Sequence, residues 1–534
     1  MGPSGAGKSS LLHILTGFIN DGVEGTIRSS GRTVKGQGDR GDFRKEACYI
    51  MQENYLQPLF TVEDTLDTLS LSTCAETRCS KLSGGQSKRL SIALELLDNP
   101  PVMFLDEPTT GLDSVSALHC IKVLKSLTRG GRTIICTIHQ PCASTLELLD
   151  QVYILNKGHC VYQGTPFNML PYLRQFHLEC PKYHNPADFM LEIVSGDHGD
   201  FDSELIEGAK TGNWKKPKET IDQITQQPIV EVKNEKDAQK AELDKARTLV
   251  LIRTPKEIDR FWILFKSFYT QLFRDLALFH VRFALHVAVG ILLGLTFIQI
   301  GSDGSRTFDN VCCFFIMLTY LTYTSLIPAA LRFPVMRDIL SKETFNNWYK
   351  PKTYFIALII SSLPIQFLFS AVPVSLTYVL SAQPLEWFRF IRVVLAFFFT
   401  SLTAEGFGFF LGTICRPTMS TFNGALYTAF LVLFGGCLML FGHMPSYIHW
   451  LSFFGFFRFT FDAVLSVLYS YNRQKLYCPE EEVICYLGEP KKILKEVGVS
   501  EDMYWVDISV LLLYCTLTRL VTYFTLKREI RKRH

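Results

Sequence analysis

Apolar and polar positions are distributed differently in the two halves of the chain. From Met1 to about Pro255, short apolar runs alternate with polar stretches, whereas Phe261–Leu526 is dominated by long apolar segments. A helix needs roughly 20 apolar residues to cross a bilayer, and six segments in the second half are long enough. We place these spans near Val281–Ile300, Phe308–Leu331, Tyr354–Leu380, Ile391–Ile414, Phe422–Phe441 and Val506–Leu526. The second half is therefore predicted to be an all-α domain with six membrane spans.

The first half has the shorter apolar runs that strands and amphipathic helices produce. The pattern predicts a helix over Ser10–Leu15 and buried strands over Ala47–Met51 and Leu148–Leu155. From Asp197 to about Pro255 the chain is rich in Lys, Glu and Gln and nearly lacks aromatic residues. Such a composition cannot bury much surface, so we predict a flexible linker there.

The basic residues near the apolar segments predict the orientation. Phe261–Asp275 is amphipathic at helical spacing, and we expect it at the cytosolic membrane interface, with Lys266 and Arg274 facing lipid headgroups. Further basic residues collect in the second-to-third connection and in the tail, and the positive-inside rule places both in the cytosol. They are Arg332, Arg337, Lys342, Lys350, Lys352 and Lys527–Arg533. An even number of spans then returns both termini to the cytosol.

Some of the charged side chains within the apolar segments are informative. Met444–Tyr471 is aromatic and apolar but holds Arg458 and Asp462 four residues apart, which predicts a re-entrant helical pair rather than a seventh span. Glu405 lies in the fourth span. It could contact a bound ligand, transmit motion or have an internal hydrogen-bonded partner, and the sequence leaves these alternatives open.

Composition adds few constraints to this picture. The net charge of +3 says little by itself, and we expect no nucleic-acid partner. Fifteen cysteines lack paired metal-ligand spacing, which favours reduced thiols over a disulfide framework. Cys478 and Cys485 are exceptions because they lie in the predicted external segment, where a disulfide within or between subunits and free thiols are both open. We identify no cleavable signal peptide, so insertion is expected to rely on internal segments.

The start of the chain carries the clearest chemistry, because it fits the phosphate-loop pattern G-x-x-x-x-G-K-[ST]. Its glycines allow backbone N–H groups to surround phosphate oxygens, Lys8 is expected to reach the β- and γ-phosphates, and Ser9 to ligate Mg²⁺. The predicted nucleotide-binding residues here are Gly2, Pro3, Ser4, Gly5, Ala6, Gly7, Lys8, Ser9 and Ser10. Only Met1 precedes the motif, so we expect the strand and the base-stacking aromatic residue that usually come before it to be missing, and ATP affinity to be weak.

Four further motifs follow in order: Leu82–Gln86 (L-S-G-G-Q), Pro101–Pro108 with an apolar strand ending in Asp-Glu, Gly111–Asp113, and Thr137–Pro141. Together with the phosphate loop they resemble the ATPase cassette of ABC transporters. The resemblance implies that ATP and Mg²⁺ are bound, that Asp106 holds Mg²⁺ and that Glu107 is the general base. It also implies that His139 contacts the γ-phosphate.

The same resemblance implies a dimer. In the family the serine and glycines of the signature, here Ser83, Gly84 and Gly85, complete the ATP site of the opposite subunit. We also assign Gln86 and Asp113 to nucleotide binding. Gln52 is implied to bridge Mg²⁺ to the membrane-facing surface. One chain with one phosphate loop and one signature cannot close a site alone, so we expect a homodimer or heterodimer.

The order of the domains resembles ABC subfamily G, the white-type half-transporters, as do Asn185–Phe189 and the coupling-loop-like Lys342–Tyr349. This implies an α/β P-loop NTPase, here an incomplete ABC cassette, followed by an all-α six-span transmembrane domain. We place the cassette at 1–196, the charged linker at 197–258 and the membrane domain at 259–534, with the re-entrant segment at about 442–505. The protein would be a multi-pass protein of the plasma membrane or an intracellular membrane, with a cytosolic cassette.

One interval departs from the family. Only about thirty residues separate Gln52 from Leu82, where ABC cassettes place a larger helical subdomain. We expect its middle to be missing between Leu66 and Asp67.

The cargo is predicted from the second and fifth spans, which line the cavity of such dimers. Their residues here are apolar: Phe315, Leu318, Phe430, Val432, Leu433 and Phe434. This favours export of a sterol, phospholipid or other hydrophobic molecule, with membrane lipid as a partner. The closest resemblance is to the sterol- and lipid-exporting branch. The alternative is a non-hydrolysing or truncated isoform that binds and regulates a full-length partner.

Overall fold

A computed structural model describes residues 1–19, 22–25, 27–29, 32–34, 47–51, 78–96, 100–129, 131–211, 256–478 and 488–533. Within these ranges the chain forms two compact units. The first comprises Met1–Lys256 and Phe345–Trp348, and the second comprises Glu257–Thr344 and Tyr349–Arg533.

The first unit is an α/β unit. Its strands are β1 (Ile27–Ser29), β2 (Arg32–Val34), β3 (Ala47–Ile50), β4 (Val102–Leu105), β5 (Thr133–Cys136), β6 (Val152–Asn156) and β7 (His159–Gly164). Its helices are α1 (Lys8–Thr16), α2 (Gly84–Leu96), α3 (Ser114–Thr128), α4 (Ala143–Leu146), α5 (Met169–Arg174), α6 (Pro186–Ser195) and α7 (Asp202–Thr211). The predicted helix after the phosphate loop and the predicted strands around Ala47–Met51 and Leu148–Leu155 are all present.

A parallel sheet of three strands, ordered β3-β4-β5, positions the chemistry of this unit. Ile50 pairs with Leu105, and Leu105 pairs with Cys136, so the three strands end at one edge. The buried side chains of Ile50, Met103 and Leu105 belong to the apolar cluster that holds the sheet. Residues that follow these strands, including Asp106 and Thr137, are therefore brought together.

The helix α7 lies where the sequence predicts the start of a flexible linker. Leu205 is fully buried, and its carbonyl oxygen accepts a hydrogen bond of 2.8 Å from the hydroxyl of Tyr172. Asp202 accepts a 2.6 Å hydrogen bond from Asn156 and forms an ion pair with Lys157. The high charge of α7 suggested a solvated chain, but one apolar residue and one carboxylate are enough to attach it to β6 and β7.

A short segment from much later in the sequence, Phe345–Trp348, also belongs to the first unit. The side-chain amide of Asn346 accepts a hydrogen bond from the backbone N–H of Tyr49 and donates one to the carbonyl oxygen of Tyr49. The indole of Trp348 donates to Glu95. This segment is part of the predicted coupling-loop-like stretch, Lys342–Tyr349.

The second unit is all helical. Its helices are α8 (Glu257–Arg274), α9 (Arg282–Thr296), α10 (Thr307–Phe345, whose last residue falls in the first unit), α11 (Pro351–Leu380), α12 (Trp387–Ile414), α13 (Pro417–Leu433), α14 (Ser446–His449), α15 (Phe456–Tyr469), α16 (Pro490–Val497) and α17 (Tyr504–Arg533). A π-helical turn, Leu276–Val281, precedes α9.

Five helices of the described chain are long and apolar enough to cross a membrane, and a bent pair of helices would raise the number to six. The five are Phe279–Thr296, Thr307–Phe345, Pro351–Leu380, Trp387–Ile414 and Tyr504–Arg531. They correspond to the first, second, third, fourth and sixth predicted spans. The α/β cassette unit followed by an all-helical unit with five to six apolar spans confirms the predicted fold class.

The bounds of two spans differ from the prediction. The second span continues as helix to Phe345, so several basic residues assigned to a connection are helical. The fifth span was expected at Phe422–Phe441, but α13 begins at Pro417 and ends at Leu433 after 17 residues. Gly436 has φ 93°, a backbone conformation that interrupts a helix, although the apolar sequence continues beyond it.

The segment predicted as a re-entrant pair contains a bent pair of helices: Ser446–Phe454 and Phe456–Tyr469 meet at 91°, a geometry shared by broken spans and re-entrant loops. Its two charges are partners, because the Arg458 guanidinium lies 3.9 Å from the Asp462 carboxylate. Glu405 also has internal partners, since it accepts hydrogen bonds from Gln366 and Ser362. Of the alternatives for Glu405, the internal hydrogen-bonded partner is therefore the one observed.

Close helix packing in the second unit depends on glycine. A side chain at Gly290 would approach the backbone of Pro373 to 2.8 Å, and one at Gly408 would approach the carbonyl oxygen of Leu326 to 2.5 Å. Small residues of this kind let membrane helices pack backbone to backbone.

Cys478 is disulfide-bonded. Its expected partner, Cys485, lies outside the described residues, as does the proposed junction between Leu66 and Asp67.

Candidate nucleotide site

The phosphate loop is attached to β6. The amino group of Met1 donates a hydrogen bond to the carbonyl oxygen of Tyr153 at 2.7 Å. The backbone N–H of Leu155 donates one to the carbonyl oxygen of Met1 at 2.9 Å. Gly2 sits so close to this strand that a Cβ would lie 2.3 Å from the carbonyl oxygen of Leu155. Although the sequence predicted a loop without its usual strand, β6 supports its first residues.

Inside the loop, glycine backbones and one lysine form the cradle. Gly5 and Gly7 have φ values of 78° and 94°, which favour glycine and turn successive N–H groups to one side. The buried ammonium of Lys8 donates to the carbonyl oxygens of Gly2 and Pro3 at 2.7 and 3.0 Å. Burial lowers the pKa of Lys8, and the carboxylates of Glu107 and Asp106 oppose that shift.

Asp106 is the centre of the hydrogen-bond network beside the loop. Its Oδ1 accepts from the hydroxyls of Ser9 at 3.0 Å and Thr137 at 2.6 Å, and its Oδ2 accepts from the hydroxyl of Tyr49 at 3.3 Å. His13 Nε2 lies 2.7 Å from the same Tyr49 oxygen. The carboxylate is thus fixed from three sides, by α1, β3 and the end of β5.

Glu107 is the residue predicted as general base. Its N–H donates to the Thr137 hydroxyl at 2.8 Å, and its carboxylate accepts from the Thr110 hydroxyl at 2.9 Å. Its φ is 44°, in the left-handed region that a non-glycine residue rarely adopts. The tight turn directs the carboxylate of Glu107 away from the sheet core that buries Asp106.

His139 and Gln52 are two further residues that the sequence predicts at the site. His139 is half-buried two residues after Thr137, on the segment that leaves β5. Gln52 lies outside the described residues, although the preceding Met51 accepts a 2.9 Å hydrogen bond from Lys88 through its carbonyl oxygen.

The signature residues form the N-terminus of α2. The N–H of Ser83 donates to the Gln86 side chain at 2.9 Å, and the N–H of Gln86 donates to the Ser83 hydroxyl at 3.3 Å. This reciprocal arrangement is a capping box, with Gln at the third helical position. The sequence S-x-x-Q is typical of a capping box, but the prediction assigned these residues only to nucleotide binding.

The glycines of the signature pack against the segment that holds Asp113. A Cβ at Gly84 would lie 3.3 Å from the Leu112 side chain, and one at Gly85 would lie 3.2 Å from Ser116. Asp113 itself caps α3, since its carboxylate accepts from the N–H of Ser116 at 3.0 Å. The hydrogen bonds to Ser116 lower the pKa of Asp113.

The structure therefore separates the predicted residues into two groups. Gly2–Ser10, Asp106 and Glu107 form one group, and Ser83–Gln86 with Asp113 form the other. Among the described residues, Ser83–Gln86 forms no hydrogen bond with the phosphate loop. Ser83 and Gly84 are exposed and accessible to another molecule.

The donor set of the first group fits ATP with Mg²⁺. Backbone N–H groups and the Lys8 ammonium suit phosphate oxygens, because both offer positive partial or full charge. Mg²⁺ prefers hard oxygen ligands, and the Ser9 hydroxyl and Asp106 carboxylate oxygens lie 3.0 Å apart. Ser9 and Asp106 are therefore placed where they would hold the ion, whereas Gln52, the third predicted ligand, lies outside the described residues.

Sequence reasoning assigned no role at this site to Tyr49, His13 or Thr137. Thr137 begins a recognised motif, whereas His13 lies one helical turn after Ser9 and Tyr49 lies on β3. The pairing of Tyr49 with Phe104 in the sheet places its ring next to the following carboxylate, Asp106. Only the register of β3 on β4 could have shown this.

Asn185 joins the Asn185–Phe189 motif to the segment after His139. Its side-chain oxygen caps α6 by accepting from the N–H of Ala187, and its amide donates to the carbonyl oxygen of Pro141 at 2.8 Å. Asn185 thus both begins a helix and connects it to the segment that carries His139.

Residues 1–110 match the family described as ABC transporter, and residues 259–469 match the family described as ABC-2 type transporter. The chain is 29% identical over 562 residues to ABC transporter G family member 8 of Arabidopsis thaliana, covering 99% of this chain and 89% of that protein. It is 27% identical over 581 residues to Protein white of Drosophila melanogaster, covering 100% of this chain and 81% of that protein.

A third relative, ABC transporter G family member 21 of Arabidopsis thaliana, is 25% identical over 577 residues, with 99% of this chain and 83% of the relative covered. The ATP-binding cassette MJ0796, solved as a dimer bound to ADP and Pi, aligns with 31% of this chain and 83% of its own at 23% identity. Its TM-score of 0.27 is too low to specify a shared arrangement.

The phosphate loop, the Asp106–Glu107 pair, the apolar spans and the two family matches agree. The chain belongs to the white-type half-transporters of the ABC transporter G family, multi-pass membrane proteins whose transport is driven by ATP hydrolysis.

Proposed function

We propose that the protein exports a hydrophobic molecule, such as a sterol, a phospholipid or another lipid, as a dimer of half-transporters. The observation that carries this proposal is a set of exposed apolar side chains on the second and fifth span helices, α10 and α13. On α13 these are Met419, Phe422, Leu426 and Leu433, and on α10 they include Ile316 and Tyr323. Apolar surfaces of this kind favour lipid-like cargo over an ion or a sugar.

The set of cavity residues differs from the sequence prediction. Phe315 and Leu318 are buried, with 5% and 1% of their surface exposed, because they pack inside the second unit against residues such as Phe457 and Phe461. Leu433 is 48% exposed and stays a candidate lining residue. The helical face, rather than the identity of the span, decides which side chains can meet cargo.

In the proposed hydrolysis, bound Mg²⁺ would neutralise charge on the ATP phosphates. Lys8 and the loop N–H groups would bind and orient the phosphates, and Ser9 and Asp106 would hold the ion. Glu107 would accept a proton from the attacking water, and its bond from Thr110 orients it for this role. His139 would contact the γ-phosphate.

The dimer is proposed because one chain holds one phosphate loop and one signature. Ser83 and Gly84 are exposed at the N-terminus of α2, a position suited to bind the phosphate of a partner's nucleotide. Gln86 and Asp113 would support this surface through their caps, and Gln52 would act at the metal. We propose cassette, linker and membrane domains at 1–196, 197–258 and 259–534, with the cassette in the cytosol.

A reconstituted full chain tests hydrolysis and transport together. We expect ATP-dependent, vanadate-sensitive transfer of fluorescent sterol or phospholipid between leaflets or to an acceptor, abolished in Glu107→Gln. Thr110→Val, which removes only the hydroxyl that contacts Glu107, is a milder matched variant. Full ATPase activity in Glu107→Gln would refute the assignment of the base, and transfer of a polar solute instead of lipids would refute the cargo.

The alternative function, a regulatory subunit, is motivated by the interval of about thirty residues between Gln52 and Leu82. In that case the chain would bind ATP without hydrolysing it and would restrain a full-length partner. Co-expression with such a partner separates the alternatives. Lower export by the partner, unaffected by Glu107→Gln in this chain, would support regulation, whereas export that requires Glu107 would support a working subunit.

A further inference from the structure

A cavity whose walls are mainly apolar but include three charged side chains lies inside the second unit, among helices α8 to α12. Its volume is about 100 Å³, roughly the space of three water molecules at ~30 Å³ each. Its lining includes two arginines and one glutamate, namely Arg282, Arg332 and Glu405, together with Ser325, Ser362 and Gln366. The cavity is too small for a sterol or a nucleotide, and it suits one small polar group.

Arg282 is the side chain whose bonding is incomplete. A guanidinium has five N–H donors. One nitrogen, Nη2, donates a long bond of 3.4 Å to the hydroxyl oxygen of Ser325, and the planar group lies 4.4 Å above the ring of Phe369. Among the residues that the structure describes, its buried Nε has no hydrogen-bond partner. A half-buried cation whose buried Nε lacks a partner is unfavourable unless an anion or water completes its bonding.

Glu405 does not supply that anion, because other groups engage both of its oxygens. Oε1 accepts from the amide of Gln366 at 2.9 Å. Oε2 accepts from the hydroxyl of Ser362 at 3.0 Å and lies 3.4 Å from the guanidinium of Arg519. The single negative charge of Glu405 thus acts on both Arg519 and Arg282, so positive charge stays in excess around the cavity.

Arg332 adds a second guanidinium to the lining. Its Nη2 donates to the side-chain oxygen of Gln271 at 3.3 Å. The two arginines and Glu405 give the lining residues a net charge of +1. The walls are otherwise hydroxyl and amide groups or apolar side chains, so an anionic group is the occupant that complements this charge.

The position of the cavity indicates where an anion would come from. Arg282 is the first residue of α9, directly after the π-helical turn that follows the amphipathic helix α8. Part of the cavity margin is half-buried rather than buried, at Phe268, Pro328, Ile365 and Arg332. At the end of a span, the surrounding medium includes the phosphates of lipid headgroups, and basic pockets between helices bind such groups.

We propose that this cavity binds one phosphate oxyanion, held by Arg282 and Arg332, within each half-transporter. A phosphate oxygen pair matches the flat fork of Arg282, which can donate from Nε and an Nη together. The phosphate can belong to a phospholipid headgroup or be free inorganic phosphate. The site does not depend on which molecule the protein exports.

The test uses the full chain in nanodiscs. One arm adds a phospholipid with a phosphate monoester headgroup (phosphatidic acid) to phosphatidylcholine, and the other adds inorganic phosphate to phosphatidylcholine discs. Native mass spectrometry reports bound lipid, and radiolabelled phosphate reports the free ion. We expect one bound phosphate group per chain, and binding about tenfold or more weaker in Arg282→Gln, because a charge-assisted pair is lost. If the chain retains phosphatidic acid, the site binds a lipid headgroup. If it retains radiolabelled phosphate, the site binds free inorganic phosphate.

Arg306→Gln is the matched control, since Arg306 is an exposed arginine of the same unit, paired with Asp309. It should leave binding unchanged. Because Arg282→Gln could impair folding, a second measurement uses the unaltered chain with a photoreactive phospholipid whose label lies next to the phosphate. Adducts on cavity residues such as Ser325 or Gln366 support the site. Adducts found only outside the cavity would overturn the proposed site. So would equal binding of phosphatidic acid and of inorganic phosphate by the unaltered chain and by Arg282→Gln.

Discussion

Tyr49 shows how a residue outside the recognised motifs can hold a functional one. Its hydroxyl donates to Asp106, while His13 contacts the same oxygen. Burial and the neighbouring Asp106 raise the pKa of Tyr49, so the hydroxyl keeps its proton throughout the physiological range. The orientation of the proposed Mg²⁺ ligand therefore depends on β3 as well as on its own strand.

Replacing Tyr49 by Phe should weaken the site without removing a ligand. The lost hydrogen bond is worth about 1 kcal/mol, or roughly fivefold. We expect Mg²⁺-dependent ATPase activity to need about fivefold more Mg²⁺, with a smaller change at saturating Mg²⁺. Tyr162→Phe is the control, because that buried hydroxyl donates to Thr165 in the same unit, away from the site. An unchanged Mg²⁺ requirement in Tyr49→Phe would contradict the role.

His13 should make the stability of the first unit depend on pH. Burial lowers its pKa, and Asp106 only partly opposes this. In the unfolded chain His13 binds a proton as pH falls below the ordinary histidine pKa of about 6.5. In the folded chain His13 binds that proton only at a lower pH. Stability should thus fall as pH decreases through 6.5 and level off below the folded pKa. His13→Gln should flatten this slope in thermal unfolding between pH 5 and 7. An identical slope in both proteins would argue against the assignment.

At the scale of elements, α6 illustrates a cap with two functions. Asn185 caps the helix and also binds the carbonyl oxygen of Pro141. We expect Asn185→Ala to lower the free energy of unfolding by about 1 kcal/mol. Asn185→Ser should recover most of that loss, because its hydroxyl can cap, but it lacks the amide that reaches Pro141.

Thermal unfolding and ATPase assays of these two variants separate the two bonds. If the bond to Pro141 positions the segment that carries His139, both variants should have reduced ATPase activity, although only Asn185→Ala is clearly destabilised. Full activity in Asn185→Ser would limit Asn185 to the cap.

The elements also show how far sequence reasoning extends. Long apolar runs located five spans, since hydrophobicity over some 20 residues is a strong signal. They could not show that α13 ends at Leu433, because the apolar run continues, and the end depends on the backbone at Gly435–Gly436. The motifs identified Asp106 and Glu107, but the contact with Tyr49 depends on strand register. The helix α7 was missed because one buried leucine in a charged stretch is a weak signal.

At the scale of the whole second unit, one arginine connects distant parts of the chain. Arg389 is 1% exposed, and it donates to the carbonyl oxygens of Val467, Ser470 and Tyr471 at the end of α15. It also pairs with Glu386 at 2.8 Å. These bonds satisfy carbonyl groups that a helix end leaves without partners.

Arg389→Leu should therefore destabilise the membrane unit by about 3 kcal/mol, because it removes hydrogen bonds from a charged group and leaves buried carbonyl oxygens without a donor. We expect a low yield of folded protein by size-exclusion chromatography in detergent. Arg389→Lys keeps the positive charge but loses the planar guanidinium that reaches several carbonyl oxygens at once. Its yield should therefore lie between those of the unaltered protein and Arg389→Leu. A normal yield of Arg389→Leu would show that other contacts hold the end of α15.

The backbone at Glu107 has a consequence for how this protein can change. A side chain held at φ 44° carries strain of roughly 1 kcal/mol, which glycine would release. Glu107→Gly should unfold at a higher temperature than Glu107→Ala while both hydrolyse no ATP, and equal unfolding temperatures would contradict this. A glutamate at this position therefore costs stability, and under its proposed role as general base that cost would be offset by hydrolysis of ATP.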